Sequence, residues 1–322
     1  MSATAPAILH APPAAAFRPR LRRRRLIGRF FEGLCLAAGL AAVAALAALL
    51  IYVGGQGARF VSWDFLTSLP RNLDPERSGI KPALWGTIWL MVLTFLIAVP
   101  TGIGAAVYLE EFAPRNRFTR FIHLNIANLA GVPSIVYGIL GLALFVRSLL
   151  GSRSILAGAM TLSLLVLPVI IIAAREALLA VPKTLREAAY AVGATRWQCV
   201  RAHVLPAALP GIMTGIILAL SRAIGESAPI IMLGALAFVS FVPGEWQSEY
   251  GQSLGGLVQW VRDTLDSPFT ALPLQIYNWA SRPQEVYREL AAAAILVLLA
   301  VLLSMNALAT GIRAWQQRHK MW

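Results

Sequence analysis

Six stretches of this sequence are apolar almost without interruption, at residues 31–53, 83–109, 122–146, 155–174, 211–239 and 289–312. An α-helix rises about 1.5 Å per residue and the hydrocarbon core of a bilayer is about 30 Å thick, so roughly 20 residues cross it. Each stretch reaches that length, and the pattern predicts an all-α, polytopic membrane protein with six transmembrane helices. Residues 1–30 differ: they are rich in Ala, Pro and Arg, run through consecutive arginines from Arg22 to Arg25, and lack apolar periodicity. A disordered basic tail is expected there. A cleavable signal peptide is the competing reading, but the apolar run 31–53 is about twice the roughly 7 to 15 residues of such a core, which favours a retained first transmembrane helix.

Four spans contain residues that interrupt helices: Pro100 with Gly102 and Gly104, the run Gly131-Val132-Pro133-Ser134, Pro168, and Gly225 with Pro229. A proline lacks the N–H its helix would use, and the carbonyl left over must be satisfied by a neighbouring helix, a hydroxyl or water. Kinked packing is the ordinary explanation at any single site. Four such spans in one chain favour a transport bundle over an anchor.

Between the fourth and fifth spans the pattern becomes that of a soluble protein. Thr184-Leu185-Arg186-Glu187 has the spacing of a capping box, and Leu185, Ala188, Ala189 and Val192 recur at i, i+3, i+4 and i+7. Gly193 is placed to end that helix in the left-handed conformation. Thr195-Arg196-Trp197-Gln198 repeats the start signal. Trp197, Val200 and Val204 then share one side, and Pro206 and Pro210 are expected to close the segment before the next apolar run. Two short helices meeting at a glycine predict a compact, solvent-exposed elbow in which Glu187 is a helix cap.

Composition agrees with a bilayer setting: 58% of the 322 residues are hydrophobic and 13% charged, against roughly 25% charged in a soluble domain. A net charge of +13 raises the question of nucleic acid, but the basic residues sit at the ends of apolar runs rather than on one face, so no nucleic-acid partner is expected. Of the 28 Lys and Arg, 18 fall in the N-terminal tail, 110–121, 175–210 and the C-terminal tail, 9 in the alternate loops, and one, Arg222, within a span. By the positive-inside rule both termini and the elbow are cytoplasmic. Cys35 and Cys199 offer no metal-ligand spacing, and neither metal nor redox chemistry is expected.

No Gly-x-x-x-x-Gly-Lys-Ser/Thr loop occurs, so the chain is expected neither to bind nor to hydrolyse ATP. His10, His123, His203 and His319 are isolated from one another, and no nucleophile, base and orienting group share a readable spacing. The charges that stand out are Arg222 and Glu226. With a fifth helix starting near Gly211, Arg222 lies about 17 Å along it, near the bilayer centre. There an arginine costs about 2.5 to 3.5 kcal/mol on insertion scales, so it is expected to face the bundle interior and to pair with Glu226 at i+4. Two readings stay open: part of the path of an anion, which a guanidinium fork suits, or an ion pair that fixes helix packing.

Glu187-Ala188-Ala189, three residues, Gly193, and then Leu205-Pro206 resembles the EAA loop of ABC-transporter permease subunits. The stretch from Gly131 to Gly138 and Arg222-Ala223-Ile224-Gly225-Glu226 resemble phosphate-importer permeases, the PstA type in particular. The stretch from Leu272 to Ala280 in the last outside loop extends the likeness from residue 83 to the C-terminus; structurally it reads as a short amphipathic cover over the bundle. The resemblance implies a type I importer permease (MetI-like) fold in residues 83–312. It implies a cytoplasmic coupling loop at 176–210, an outside loop at 240–288 and a tail at 313–322. It places Arg222, Glu226, Ser134 and Tyr137 on the substrate path, and Glu187, Ala188, Ala189, Gly193, Trp197, Leu205 and Pro206 at the ATPase. The partners it implies are phosphate, a second permease of the PstC type, a PstB-type ATPase dimer that holds ATP and Mg, and an external PstS-type phosphate-binding protein. Phosphate permeases often carry a basic residue three positions before the glutamate that Glu176 resembles, where this chain has Ala173. Arg175 is accordingly expected to anchor its helix at the interface, with a place in the path as the alternative. The sister permease, a permease for sulfate or molybdate, a self-contained secondary transporter and a membrane-embedded enzyme are the competing functions. A secondary transporter would need an inverted repeat and coupling-ion carboxylates beyond Glu226.

Overall fold

The computed structural model describes residues 21–235, 239, 241–246 and 254–318. The expectation for residues 1–20, the C-terminal residues 319–322 and part of the outside loop lie outside the described residues. Two units are distinguished, residues 1–52 and 53–322. The first contains most of helix α1 (Leu21–Gly57), whose apolar side chains from Ile27 to Tyr52 are exposed, whereas Val53 is buried. That helix begins ten residues before the expected span, so the expected disordered tail to residue 30 is corrected: residues 21–30 are helical.

In the second unit the elements are α2 (Trp63–Thr67), α3 (Lys81–Val107), α4 (Arg117–Ala130), α5 (Ser134–Gly141), α6 (Ile155–Leu179), α7 (Lys183–Ala191) and α8 (Arg196–Cys199). Then follow α9 (Leu205–Ile224), α10 (Ala228–Leu233), α11 (Leu254–Asp266), α12 (Leu272–Ala280) and α13 (Glu285–Arg318). Among the described residues five helices are long and apolar enough to cross a membrane, and six if the bent pair at 117–150 counts as one crossing. Among the described residues everything regular is helical apart from one isolated bridge, Ser154 to Pro268.

The centre of the bundle is α6, packed along α3 and α9. Leu162, Val166, Ile170, Ala174 and Leu178 of α6 are almost wholly buried, as hydrophobic positions on a central helix should be. On α9, Gly211 and Gly215 lie one turn apart against Ala177 and Ala173; a Cβ at Gly215 would stand 2.2 Å from that of Ala173. Small residues four apart on both helices let the backbones approach closely, the usual solution where lipid supplies no hydrophobic drive between helices. The pairings Gly211 with Ala177 and Gly215 with Ala173 also fix an antiparallel register, in which Arg222 stands level with about Val166, near the middle of α6.

Of the four spans with interruptions, two break and two do not. Pro100 stays inside α3, where the Thr101 hydroxyl donates to the Ile97 and Ala98 carbonyls, and Pro168 stays inside α6. The third span bends by 102° between α4 and α5. Gly131 ends α4 and Pro133 precedes α5, while the residue before a proline is steered away from helical backbone. The fifth span departs most from expectation. Instead of running from 211 to 239, one helical stretch extends from Arg196 to Ile224, stops at Gly225, and restarts at α10 with Pro229 in the first turn. Pro206 and Pro210 do not close the elbow segment; a π-helical turn at Val200–Val204 carries the helix into α9. The two broken spans meet, with Gly138 of α5 so close that a Cβ would lie 2.7 Å from Pro229 Cα.

On the far end, α12 is folded into the bundle rather than laid over it: Leu272, Pro273, Leu274, Gln275 and Trp279 are buried, and the Leu272 amide donates to Thr87 Oγ1 at 2.8 Å.

Candidate functional site

Two regions collect the residues singled out by the sequence. The first is the elbow. α7 starts after Pro182 with no side-chain cap, so the expected capping role of Thr184 and Glu187 is corrected: Thr184 lies within the first turn and Glu187 is exposed, without an ion pair among the described residues. Proline's fixed φ and missing N–H make it a ready helix start, which displaced the hydroxyl cap by two residues. The second box forms: Thr195 Oγ1 accepts from the Gln198 amide at 3.3 Å and Gln198 Oε1 from the Thr195 amide at 2.8 Å. Gly193 has φ +84°, the left-handed conformation that terminates α7.

Ala189, Cys199, Val200 and Val204 turn inward. Leu185, Leu205 and Pro206 are half-buried, whereas Ala188, Val192 and Trp197 face outward, Val192 being 84% exposed. The expected inward face of α7 is thus half as wide as periodicity suggested. What remains outside is a patch of Glu187, Tyr190, Val192 and Trp197. Partial loss of solvent, followed by the neighbouring Cys199 thiol, raises the pKa of the Tyr190 phenol from its ordinary value. Glu187 and Tyr190 border a groove of about 680 Å³ whose opposite wall is the end of the second span, Glu110 to Arg115.

Sequence reasoning missed the residue that holds the elbow in place. Arg186 donates to Glu111 Oε1 through Nη2 at 2.7 Å and Nε at 3.2 Å, and to the carbonyls of Val181 (2.9 Å) and Leu178 (3.0 Å). Its side chain is 18% exposed and that of Glu111 9%. The only sequence signal was an acidic pair, Glu110-Glu111, closing an apolar span. Trp197 touches the same segment, its ring 6.5 Å from that of Phe112. Arg175 pairs with Glu110 (3.1 Å) and Glu176 (3.6 Å) at the end of α6. It lies about nine residues, roughly 14 Å, along α6 from the level of Arg222. There it is held by two carboxylates at the end of the helix. Ala173 faces Gly215 at the tightest point of the α6–α9 contact, where no arginine fits.

The second region is where the broken spans meet. Arg222 occupies the last turn of α9, a favourable place for a cation against the helix dipole. Its Nε is 3.2 Å from Glu226 Oε1, just beyond the break. The expectation that Arg222 faces the interior of this chain is corrected: its side chain is 48% exposed, that of Glu226 17%. Ser134 opens α5 and is partly exposed, while Tyr137, one turn on, is buried and donates to the Leu129 carbonyl at 2.8 Å. Gly138, next to Tyr137, lies against Pro229, four residues after Gly225, so the two breaks come together. Gly225 admits no close backbone here; a Cβ there would meet only the Arg222 carbonyl, at 3.8 Å. The arrangement is a cation, a carboxylate partner and the N-terminal end of a helix on one face of the subunit.

A helical bundle with spans broken at mid-height, and an exposed elbow at one end, is the architecture of a membrane transport subunit. Residues 98–319 match the family described as binding-protein-dependent transport system inner membrane component, and the chain belongs to that family. It is 36% identical over 214 residues to the probable ABC transporter permease protein YqgI of Bacillus subtilis, covering 66% of this chain and 71% of the relative. The phosphate transport system permease protein PstA 1 of Mycobacterium tuberculosis is 32% identical over 300 residues, 92% of this chain and 91% of its own. A subunit of a bacterial alginate ABC transporter, solved with its periplasmic protein, superposes with a TM-score of 0.61 over 90% of this chain and 96% of that one, at 16% identity. The last likeness establishes the fold. Family and apolar helices together make this a multi-pass inner-membrane protein.

Proposed function

We propose that this chain is the PstA-type permease subunit of an ATP-driven phosphate importer, forming half of the translocation path. Its elbow, residues 176–210, docks on an ATPase dimer that holds ATP and Mg, while this chain binds no cofactor and catalyses no reaction. A PstC-type permease covers the face bearing Arg222, an external PstS-type protein delivers phosphate, and both termini and the elbow lie in the cytoplasm.

The observation that carries the reading is the half-exposed guanidinium of Arg222, level with the middle of α6. A cation at that depth does not face hydrocarbon, so the face it occupies lines a polar cavity or a second chain. The pair with Glu226 spans i to i+4 and ties no two spans together, which argues against a packing clamp. With Arg222 half-exposed the pair is weaker than a buried one, so an incoming oxyanion can displace Glu226 from Arg222. The anion would gain the planar fork of Arg222 and the amide-rich start of α5 at Ser134, a setting that favours negative charge without fully neutralising it. Glu226, released, is then placed to reclaim Arg222 and expel the anion. Transport follows when the ATPases, pulling on Glu187 and Trp197, change which side the breaks open to.

The test is uptake of labelled phosphate in cells lacking this chain, complemented with wild type or Arg222→Gln, with membrane levels checked by immunoblot. Wild type is expected to restore uptake, and the variant to insert normally while losing nearly all of it. Uptake unchanged by wild type, with its ATPase still co-purifying, would move the substrate to another oxyanion.

A further inference from the structure

A broad groove of about 970 Å³ lies where α4 passes the end of α3 and the end of α6. Arg115, Arg117, Arg120, His123 and Arg175 line it, with Glu110 as its acidic member. Arg175 is engaged by Glu110 and Glu176. The guanidinium groups of Arg115, Arg117 and Arg120 carry no ion pair among the described residues and are exposed. Positive charge is therefore in excess, and three of its carriers have no acidic partner among the described residues.

Depth is set by α6. From Ile155 to Ala174 that helix holds no charged residue, and those 20 residues span about 30 Å, the thickness of the hydrocarbon core. Arg175 and its partner Glu110 then stand where hydrocarbon gives way to headgroups, and the groove lies at that level. α4 is built for the same boundary. Ile122 and Ile126 pack on the core, whereas Phe118, Phe121 and Leu124 are exposed beside the arginines. Aromatic and aliphatic side chains next to basic ones are the composition of helices that sit at the lipid interface. Topology alone asks only for basic residues in this loop. It does not ask that residues from two separate segments converge on one groove.

We propose that this groove binds the headgroup phosphate of an anionic glycerophospholipid, with Arg117 and Arg120 as its main contacts and Phe118, Phe121 and Leu124 against the acyl chains. A free phosphate ion would leave those three apolar side chains without a role. Only the leaflet, the cytoplasmic one, rests on the topology proposed above.

The test uses the intact complex containing the full chain, purified in mild detergent and titrated with phosphatidylglycerol or with phosphatidylcholine of the same acyl chains, bound lipid being read by native mass spectrometry. Phosphatidylglycerol is expected to bind several-fold more tightly. At about a fivefold loss per basic residue near an anionic surface, Arg117→Gln with Arg120→Gln is expected to weaken it by about tenfold or more while leaving phosphatidylcholine unchanged. Arg117→Lys with Arg120→Lys keeps the charge and is expected to keep most of the binding, which separates lost contacts from a misfolded groove. Equal binding of the two lipids, or wild-type binding by the glutamine variant, overturns the proposal. So does complete displacement of the lipid by inorganic phosphate, which would mark a site for the free ion. No transport is measured, so this result and the uptake result stand or fall separately.

Discussion

Arg186 donates to Glu111 and to two carbonyls at the end of α6, so its removal strands a carboxylate that is 9% exposed. Breaking a fully buried pair from one side costs about 3 to 5 kcal/mol; for this partly buried one, Arg186→Ala is expected to cost about 2 to 4 kcal/mol. Thermal unfolding of the purified complex should show the fall in midpoint, and limited proteolysis should show the elbow cut sooner. Arg222→Gln, half-exposed, is expected to shift the same midpoint little. Gly215 gives the converse case. A side chain there meets Ala173 at 2.2 Å, so Gly215→Val is expected to lower stability by about 1 to 3 kcal/mol through overpacking, read in the same unfolding experiment. The sequence marked Arg222 by its isolation within an apolar run. It could not mark Arg186, because the acceptors are backbone carbonyls and a glutamate 75 residues away.

At the level of elements, local chemistry was legible and competition between local signals was not. Gly193 and the Thr195–Gln198 box formed as their residue types demand, whereas Thr184 lost its capping position to Pro182. Spans with uninterrupted packing partners kept their prolines inside the helix, while Pro133 and Pro229, each close after a glycine, opened breaks. Periodicity records where apolar residues fall; whether a proline kinks or ends a helix depends on what packs beside it. Gly193→Val would force a β-branched residue into the left-handed region, at about 1 to 2 kcal/mol. Gln198→Ala would remove half of a capping box, at about 1 kcal/mol. Both are expected to speed hydrogen exchange in the elbow and to reduce the ATPase that co-purifies, with insertion unchanged; normal ATPase recovery with both variants would remove the elbow from the docking role.

For the molecule as a whole, what the chain leaves exposed is as informative as what it buries. The Arg222 face and the outward patch of the elbow each present groups unsuited to remaining uncovered in their surroundings, whereas the apolar surface of α1 suits lipid. A second permease on the Arg222 face is expected to raise the steady-state amount of this chain several-fold when the two are produced together. Equal amounts with and without it, measured by immunoblot of membranes, would count against a shared path. A cysteine at Ser134 is expected to react with a water-soluble maleimide in the assembled complex, as a residue facing an aqueous cavity should and one facing lipid should not.

The helix that leaves the elbow at Arg196 reaches Ile224 without a stop, because a π turn rather than a break precedes Pro206. Mechanically this is a single lever that runs from the exposed elbow to a tip carrying the guanidinium. From Arg196 to Arg222 it measures about 39 Å, so a tilt of about 5° at the elbow end would swing the tip by about 3 Å, roughly the length of one hydrogen bond. A motion that small is enough to make or break an anion contact.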